Sequence, residues 1–428
     1  MNEKITQEIH YIYVIDPLIR SFLGHYFNYA NSIFHAAVKA GLDFRLLANA
    51  ECDPGISEEL PTRFIFSKDE APRLLGIRPP KLAGLHRPIK RLNEWIKACR
   101  ELDRPDGMVF VDNCVAIELL LFAIALFFEK KVLLPVFIVM MRIYYYNPST
   151  NRWKKETIIL KLALYLLRKT SNSKRIHLVS DSELLASRFG RLTKMPIHTV
   201  PIPHTHIGLN ESNKKYSTRL RFAYLGHGDY YKGITFLADA IHELNAAGYL
   251  NRMEFFIQCY QSRTHDARID KALIGLRQLN AKSIEVVEEP LDVNNYNLQM
   301  IRADVLLFPY LIDRGESTSG PFTEALALSK PVIVSAQTWA SQQLEKFDGG
   351  GVICQSGSST SLVQAMMEMS NNYAAIVKKA EKARLNWAAF HNADNFINTL
   401  TSVSVSENDG SIQKREMEFE EPGRKGRP

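Results

Sequence analysis

The sequence predicts an α/β protein made of two Rossmann-like halves, each built on a parallel β-sheet. Two observations lead to this prediction. First, short and nearly continuous apolar runs alternate with segments of helical periodicity, a pattern typical of parallel strands covered by helices on both faces. Second, the alternation stops at the polar stretch Gly208–Thr218 and then starts again. Such a break indicates a linker between two domains.

Seven strands are predicted in the first half of the 428-residue chain. They cover Tyr11–Asp16, Phe44–Asn49, Arg63–Ser67, Met108–Asp112, Val132–Met140, Ile176–Asp181 and Ile197–Pro203. Helices are predicted at residues 26–40, Thr157–Leu167 and Glu183–Phe189. A further apolar run, Leu119–Phe128, is shorter than the about 20 residues that a membrane span needs. It predicts a buried helix, and we do not expect an integral membrane protein.

The second half repeats the alternation of strands and helices. Strands are predicted at Arg221–Gly226, Glu254–Gln258, Ile284–Val287, Asp304–Pro309, Pro331–Ser335 and Val352–Gln355, and helices at 234–246, 267–279 and Phe322–Leu328. Residues 403–428 have few apolar side chains and alternating charges, which predicts a disordered tail without a catalytic role. Domains are therefore expected at residues 1–207 and 219–384, joined by a linker at 208–218.

The excess of basic over acidic residues is confined to the first half of the chain. The whole chain has 53 Lys and Arg against 46 Asp and Glu, but residues 1–210 carry 29 against 20 and residues 211–428 carry 24 against 26. This asymmetry predicts an anionic partner for the first half, which is a lipid surface, a nucleic acid or an acidic polymer. Nucleic acid is disfavoured, because the basic residues are not interleaved with aromatic stacking residues. The basic segment Arg73–Arg104, which includes Trp95, is expected to face an acceptor substrate.

The basic, Leu-rich segment Lys154–Lys169 leaves two interpretations open. It is a helix that lies on an anionic membrane, or a buried crossover helix with its lysines at the ends. The five cysteines form no CxxC pair, and the first residues do not resemble a signal peptide. We therefore expect reduced thiols, no metal site and a cytoplasmic protein. Under the first interpretation it is peripheral at the inner face of the membrane.

The segment from Glu316 to Glu324 carries the most informative chemistry. A strand ends, a polar loop follows, and Pro321 is a favourable first-turn residue of a helix. Ser319 and Gly320 let the free N–H groups of that helix start approach a phosphate. Glu324 is expected in the first turn, where a carboxylate can accept two hydrogen bonds from a vicinal diol such as that of ribose. In the alternative interpretation, Glu324 only complements the helix dipole and Glu316 is a solvated loop charge.

The segment Gly226–Gly233 has a complementary pattern. A strand runs into a glycine-containing turn, and Lys232 stands at the end of that turn before a helix. Main-chain N–H groups together with one ammonium suit the binding of phosphates. Neither the GxGxxG nor the GK[ST] fingerprint is present. In the alternative interpretation, the segment is only a tight strand-to-helix turn with a surface lysine.

Together, the two segments resemble the C-terminal half of retaining glycosyltransferases of the GT-B fold, glycosyltransferase family 4. Glu316 and Glu324 keep that family's spacing of two glutamates with seven residues between them, and Pro321 falls at its proline. The following run, ALALSKPVI, resembles the one that continues the family's motif. His227 stands where the family has an arginine, and Lys232 keeps the position of its lysine.

The first half is similar to the same family. Residues 16–25 resemble its glycine loop after the first strand, and Val179–Glu183 and Val200–Pro203 resemble the elements that close its first domain. Residues 385–402, with Trp387, resemble its terminal helices that return to the first domain. The resemblance implies a GT-B fold, in which two Rossmann-like domains with parallel sheets face a central cleft. The first domain is implied to bind the acceptor and the second the donor.

The resemblance also implies roles for single residues. The residues assigned to donor binding are Gly24, His227, Lys232, Ser319, Gly320, Pro321 and Glu324. Lys232 is implied to bind the diphosphate, and Glu324 the ribose hydroxyls. Glu316 is implied to contact the transferred sugar and to act with Lys232 in catalysis. Three residues of the first domain are expected on the acceptor side, namely His25, Asp112 and Asn113.

The implied function is transfer of a hexose from a nucleotide sugar to a glycan or lipid-linked acceptor, with retention of anomeric configuration. The nucleotide sugar is a co-substrate, and no metal or other cofactor is expected. Polysaccharide or cell-envelope synthesis is the usual setting of such enzymes. Two rival functions stay open. One is a nucleotide-sugar epimerase or hydrolase on the same fold. The other is a non-catalytic nucleotide-sugar-binding protein, because His227, Ser317 and Ser319 depart from the family pattern.

Overall fold

The computed structural model describes residues 9–22, 25–67, 86–112, 115–129, 136–139, 146–147, 150, 152–155, 157–170, 175–193, 195–203, 219–261 and 265–406. Within these ranges the chain forms two parallel β-sheets, one in each half, with helices between the strands. The α/β prediction is confirmed. The predicted linker at 208–218 and the part of the tail beyond residue 406 lie outside the described residues.

The first half is organised around a parallel sheet. Its strands are β1 (Tyr11–Asp16), β2 (Asp43–Asn49), β3 (Thr62–Phe66), β4 (Gly107–Val111), β5 (Val136–Val139), β6 (Tyr146–Asn147), β7 (Arg152–Trp153), β8 (Ile176–Ser180) and β9 (Ile197–Thr199). Seven of them pair in the order β3-β2-β1-β4-β5-β8-β9, and every pair is parallel. Strands β6 and β7 form a separate antiparallel ribbon.

Helices cover both faces of this sheet. They are α1 (His25–Lys39), α2 (Ile56–Glu59), α3 (His86–Arg100), α4 (Ala116–Phe128), α5 (Thr157–Lys169) and α6 (Glu183–Thr193). Helices α3, α4 and α5 share one core, which includes Trp95, Phe122 and Leu160, and α1 packs in a core on the other face. The predicted buried helix is confirmed as α4. None of the described helices has both the length and the apolar character that a bilayer crossing requires.

The second half is built on a six-stranded parallel sheet. Its strands are β10 (Leu220–His227), β11 (Met253–Tyr260), β12 (Ile284–Val287), β13 (Val305–Phe308), β14 (Val332–Ser335) and β15 (Gly351–Cys354), in the order β12-β11-β10-β13-β14-β15. Its helices are α7 (Ile234–Ala246), α8 (Ala267–Gln278), α9 (Val293–Arg302), α10 (Gly320–Ala327), α11 (Trp339–Lys346) and α12 (Ser359–Asn371). After β10, the chain adds β11 and β12 on one side of that strand and then β13, β14 and β15 on the other side. The topological switch point therefore lies between β10 and β13.

The last two helices, α13 (Tyr373–Phe390) and α14 (Ala393–Ser406), join the halves. Trp387 of α13 packs on Phe322 in the second half, with ring centroids 6.2 Å apart. Phe396 of α14 packs on Tyr29 in the first half at 5.7 Å. The chain crosses from the second half to the first after α13. The helix that returns to the first half therefore covers Ala393–Ser406 and not the predicted 385–402. Helix α14 also extends four residues into the predicted tail, because Val403 is still buried in the core of the first half.

Trp95 is turned into the core of the first half and does not face an acceptor, which corrects the expectation for this part of the segment Arg73–Arg104. Residues 73–85 of that segment lie outside the described residues. Trp95 is fully buried, and its indole N–H donates to Glu118 Oε2 at 2.5 Å. Arg91 Nε donates to Glu118 Oε1 at 2.9 Å, and Arg91 Nη1 donates to Glu94 Oε2 at 3.0 Å. Arg91 is 7% exposed and Glu118 is 4% exposed. A buried ionic network therefore fastens α3 to α4.

We expect Arg91→Ala to lower the free energy of unfolding by about 3–5 kcal/mol, because it leaves the buried Glu118 carboxylate without its counter-charge. Urea unfolding followed by circular dichroism measures this change. Arg100→Ala on the same helix is the matched control. Arg100 is 68% exposed and pairs with Glu129, and exposed pairs contribute about 0–1 kcal/mol. Equal losses in the two variants would contradict a structural role for the network.

Candidate active site

The switch point between β10 and β13 brings the two predicted motifs together. The loop after β10 leads through residues 228–233 into α7, and the loop after β13 leads through residues 309–319 into α10. The two loops touch, since the Leu311 N–H donates to the Tyr231 carbonyl oxygen at 2.7 Å. Ligands of open parallel sheets bind at the carboxyl ends of the strands at such a point. The two motifs therefore form one candidate site.

The loop after β10 is shaped by Gly233. Its φ of +80° lies in the left-handed region, and a Cβ on it would lie 1.9 Å from the Pro309 carbonyl oxygen. Only a glycine allows this loop to close against the loop after β13. Asp229 Oδ1 accepts a hydrogen bond from the Tyr231 N–H at 3.0 Å, which starts a short 3-10 turn that ends at Lys232. The turn carries Lys232 into the site.

Lys232 is a half-buried cation next to the end of β10. Its Nζ lies 3.0 Å from the position that a Cβ on Gly226 would take, so a side chain at residue 226 would crowd the ammonium. Burial, and secondly the nearby Arg314 guanidinium, lower the pKa of Lys232 to about 8. The alternative of a surface lysine on a tight turn therefore does not describe this residue.

Arg314 is a second cation at the site that was not predicted from the sequence. Its Nη1 donates to Asp229 Oδ2 at 2.7 Å. A signal existed, because Arg314 is a basic residue in the polar loop that precedes Glu316, but only the contact between the two loops places it beside Lys232. His227 adds no charge near neutral pH, since burial and the Lys232 ammonium lower the pKa of its imidazole.

Helix α10 begins at the end of the loop after β13. Ser319 caps the helix: its Oγ accepts a hydrogen bond from the Phe322 N–H at 3.5 Å and lies 3.1 Å from the Tyr310 hydroxyl. Pro321 stands in the first turn, as predicted. A Cβ on Gly320 would meet no atom within 4 Å, so a ligand can approach the backbone there. Helix α10 begins two residues earlier than the predicted start at Phe322.

Glu324 lies in the second turn of α10, not in the first as predicted, because the helix already starts at Gly320. Its Oε2 accepts a hydrogen bond from the Tyr296 hydroxyl at 2.8 Å. Burial raises the pKa of Glu324 to about 7, and this hydrogen bond partly opposes the shift. Complementing the helix dipole does not account for Glu324, since that effect falls off within the first turn. Tyr296, from α9, was not identified from the sequence.

Glu316 is not a solvated loop charge. It is 7% exposed, and Arg188 of α6, in the first half, holds its carboxylate. Arg188 Nε donates to Oε2 at 3.1 Å and Arg188 Nη2 donates to Oε1, which makes a bidentate pair. The main-chain oxygen of Glu316 accepts a further hydrogen bond from the Ser182 hydroxyl at 2.6 Å. The glutamate expected to contact the transferred sugar therefore joins the two halves in this structure.

The contact between the halves continues on both sides of Glu316. Thr318 Oγ1 donates to Asp181 Oδ2 at 3.1 Å, and burial raises the pKa of Asp181 to about 7. Glu183, at the start of α6, accepts hydrogen bonds from Gln343 Nε2 at 3.0 Å and from Lys346 Nζ at 2.8 Å. The loop after β8 thus meets the loop after β13. The carboxyl edges of the two sheets therefore face each other.

The residues expected on the acceptor side, and Gly24, are described only in part. Gly24 and Asn113 lie outside the described residues, and His25 is described only by its backbone at the start of α1. Asp112 is 2% exposed, and its N–H donates to the Ile15 carbonyl oxygen at 3.0 Å. The predicted residues that the structure places along one edge of the second sheet are His227, Lys232, Glu316, Ser319, Gly320, Pro321 and Glu324.

We expect Gly233→Ala to lower the free energy of unfolding by about 2–4 kcal/mol, because backbone strain at positive φ adds to a clash with Pro309. Gly248→Ala is the matched control: its φ is +75°, but a Cβ there would meet no atom within 4 Å. The control should therefore lose only about 1 kcal/mol of backbone strain. Urea unfolding of both variants measures the difference, and equal losses would show that the two loops do not press together at Gly233.

Residues 219–372 match the family model Glycosyl transferases group 1. This range contains the second sheet and both loops of the switch point. In a comparison with curated protein sequences, no match was found.

Solved structures that resemble the protein cover most of the chain at low sequence identity. A glycosyltransferase from Rickettsia africae has a TM-score of 0.67 at 11% identity, over 94% of this chain and 100% of that chain. Anabaena HepE in complex with UDP-glucose has a TM-score of 0.61 at 12% identity, over 92% and 98%. A UDP-forming α,α-trehalose-phosphate synthase from Burkholderia xenovorans, in complex with glucose-6-phosphate, has a TM-score of 0.64 at 11% identity, over 92% and 100%. The chain therefore has the GT-B fold, and residues 219–372 of its second half are similar to the glycosyl transferases group 1 family.

Proposed function

We propose that the protein is a retaining glycosyltransferase of family 4 that moves a hexose from a nucleotide sugar to a glycan or lipid-linked acceptor. One observation carries the proposal. At the switch point of the segment that matches the glycosyl transferases group 1 model, the loops that precede α7 and α10 touch and bring Lys232 next to Arg314, and Glu324 lies in the second turn of α10. This arrangement suits a ligand that has a diphosphate at one end and a vicinal diol further along.

The donor diphosphate is the part of the ligand that the cations suit. Lys232 supplies an ammonium, Arg314 a guanidinium, and the free N–H groups at the start of α10 add hydrogen bonds along the helix dipole. Asp229 pairs with Arg314, so the group formed by Lys232, Arg314 and Asp229 keeps one net positive charge when all three are ionised. His227, whose pKa is lowered, contributes a neutral imidazole and not a further positive charge.

Glu324 is proposed to bind the ribose of the donor. One of its oxygens already accepts a hydrogen bond from Tyr296, which fixes the orientation of the carboxylate. Two adjacent hydroxyls can then donate to the carboxylate as a pair. The HepE complex with UDP-glucose and the UDP-forming activity of the trehalose-phosphate synthase support uridine diphosphate hexoses as the first donors to test.

In the proposed reaction, the bond between the anomeric carbon and the leaving phosphate oxygen breaks. The acceptor oxygen bonds to the anomeric carbon on the same face, and its hydroxyl proton passes to the leaving phosphate oxygen. Lys232, Arg314 and the N-terminus of α10 stabilise the negative charge that builds on the diphosphate, because preorganised charges need no rearrangement during the step. Glu316 is proposed to contact the transferred hexose, with its carboxylate oriented by Arg188.

The proposed setting is the synthesis of polysaccharide or cell-envelope glycan in the cytoplasm. The setting rests on analogy with the usual roles of such enzymes. The location is supported by four buried cysteines with free thiols, which are Cys52, Cys99, Cys259 and Cys354.

We further propose that residues 1–207 bind the acceptor and that the chain's own cations act as the counter-charges of the diphosphate.

We expect Lys232→Met and Glu324→Gln each to weaken binding of the preferred nucleoside diphosphate by about 1.5–3 kcal/mol, the usual contribution of a hydrogen bond to a charged group. Calorimetric titration with UDP, GDP, ADP and their hexose derivatives measures the change. Lys382→Met and Glu381→Gln are the matched controls, because they make the same changes at exposed positions of α13. The controls should bind like the unmodified chain.

The same titrations separate the rival functions. Unchanged affinity in both site variants, with folding intact, would remove the donor site from the switch point. If donor binds, the products are analysed with and without an added acceptor. Release of free sugar or of an epimerised donor without acceptor would replace the transferase with a hydrolase or epimerase. Binding without turnover in any acceptor mixture would replace it with a binding protein.

We expect the affinity for the nucleoside diphosphate to rise with pH up to about 7.5 and to fall above about pH 8. The free Glu324 carboxyl, whose pKa is raised to about 7, must lose its proton before it accepts from the ribose hydroxyls. Free Lys232, whose pKa is lowered to about 8, loses its charge at higher pH. Calorimetry across pH should lose the acid limb in Glu324→Gln and the alkaline limb in Lys232→Arg. A flat profile in the unmodified chain would contradict both assignments.

A further inference from the structure

Helix α5, on the first half, is apolar on the side where a surface helix is normally polar. One side of the helix buries Leu160 and Leu164 in the core that it shares with α4. The opposite side carries Ile158, Leu162 and Tyr165, which are 72%, 48% and 57% exposed. Their spacing of four and three residues aligns them along the helix, and we call them the outer stripe. A helix that packs only on its own domain normally carries polar or charged side chains at these positions.

Lysines surround the outer stripe. Lys154, Lys155, Lys161 and Lys169 are exposed, and the Lys169 ammonium lies 5.7 Å from the centre of the Tyr165 ring. From residue 152 to residue 169 the sequence has six Lys and Arg and a single acidic residue. Apolar side chains flanked by lysines are typical of helices that lie in the headgroup region of anionic membranes.

The neighbouring helix α4 extends the apolar surface. Its last residues, Phe127 and Phe128, are 52% and 65% exposed. Helices α4 and α5 both connect parallel strands of one sheet and pack side by side, so they run in the same direction and their C-terminal ends are neighbours. Exposed apolar side chains therefore occur on two adjacent helices and not on α5 alone. Groups of exposed apolar side chains mark interaction sites.

We propose that the outer stripe and its lysines dock the protein on an anionic lipid bilayer. Such a bilayer takes up the apolar side chains at the boundary of its acyl chains, while the long lysines reach the charged headgroups. A protein partner fits less well, because lysine is depleted in protein–protein interfaces. A second copy of this chain would bring two lysine-rich faces together, which costs electrostatic energy.

The structure also combines the two interpretations of the segment Lys154–Lys169. Helix α5 is a crossover helix with one buried side, and it presents a second apolar side outward. Docking rests on this helix and not on the proposed transferase activity. If that activity holds, docking has a consequence for the acceptor: α5 starts at the carboxyl edge of the first sheet, where the halves meet, so Ile158 brings that edge to the bilayer. A lipid-linked acceptor would then reach the cleft from the membrane.

Flotation of the full chain with vesicles tests the proposal. Vesicles of phosphatidylcholine mixed with phosphatidylglycerol should bind the chain at least about tenfold more strongly than phosphatidylcholine alone. Lys155→Glu with Lys161→Glu should reduce this binding about 25-fold or more, because each lysine near an anionic surface contributes a factor of about five. Ile158→Ser with Leu162→Ser should reduce it about tenfold, because the apolar anchor is lost.

Matched variants on the second half control for charge and for hydrophobicity. Lys271→Glu with Lys282→Glu makes the same change of charge at exposed positions, and Leu385→Ser with Ile274→Ser removes side chains that are 72% and 53% exposed. Both pairs should bind vesicles like the unmodified chain. Circular dichroism should show intact folding in all variants, and nucleoside diphosphate affinity should stay unchanged, which separates this test from that of the donor site.

Three outcomes would overturn the proposal. Equal binding to neutral and anionic vesicles would remove the electrostatic part. Equal losses in the α5 variants and in their controls would show that the effect is not specific to this face. A dimer in size-exclusion chromatography that Leu162→Ser converts to a monomer, with no vesicle binding, would assign the face to a second copy of the chain.

Discussion

The parallel direction of the strands is the constraint on which the rest of the structure depends. Because every strand of a parallel sheet ends at the same edge, each half sends all its strand-to-helix loops to one side. In the second half this edge carries the loops after β10 and β13, and in the first half it carries the loop after β8. The Ser182 hydroxyl meets the Glu316 carbonyl oxygen where these edges face each other. The candidate site and the contact between the halves therefore share the same few loops.

The two glutamates of the motif differ in the groups that surround their carboxylates. Glu316 has a full counter-charge, since the guanidinium of Arg188 reaches it from the other half. Among the described residues, the neutral hydroxyl of Tyr296 donates to the Glu324 carboxylate, and burial raises the pKa of Glu324 to about 7. One carboxylate is thus paired with an arginine, while the pKa of the other lies near neutral pH. The difference arises from the elements that each residue faces, because both lie in one short stretch of chain.

The basic excess of the first half separates in the structure into two kinds of cation. Arg91 and Arg188 are turned inward, where Arg91 fastens α3 to α4 and Arg188 joins the halves. The lysines of α5 are turned outward and surround exposed apolar side chains. The first kind holds the fold together, and the second kind is available to a partner. Net charge alone does not distinguish them, since both kinds count equally in the composition.

Apolar periodicity is a local property, and for that reason the sequence by itself determined the alternation of strands and helices, including α7 and β12 at their observed limits. It also determined the loops that hold Lys232 and Ser319. Only the tertiary structure decided the partners of these groups: the place of Arg314 beside Lys232, the pairing of Arg188 with Glu316, and the crossing of the chain after α13. Each of these contacts joins elements that are far apart in the chain. Their side chains meet only after the two sheets have formed and their edges face each other, which no local pattern encodes.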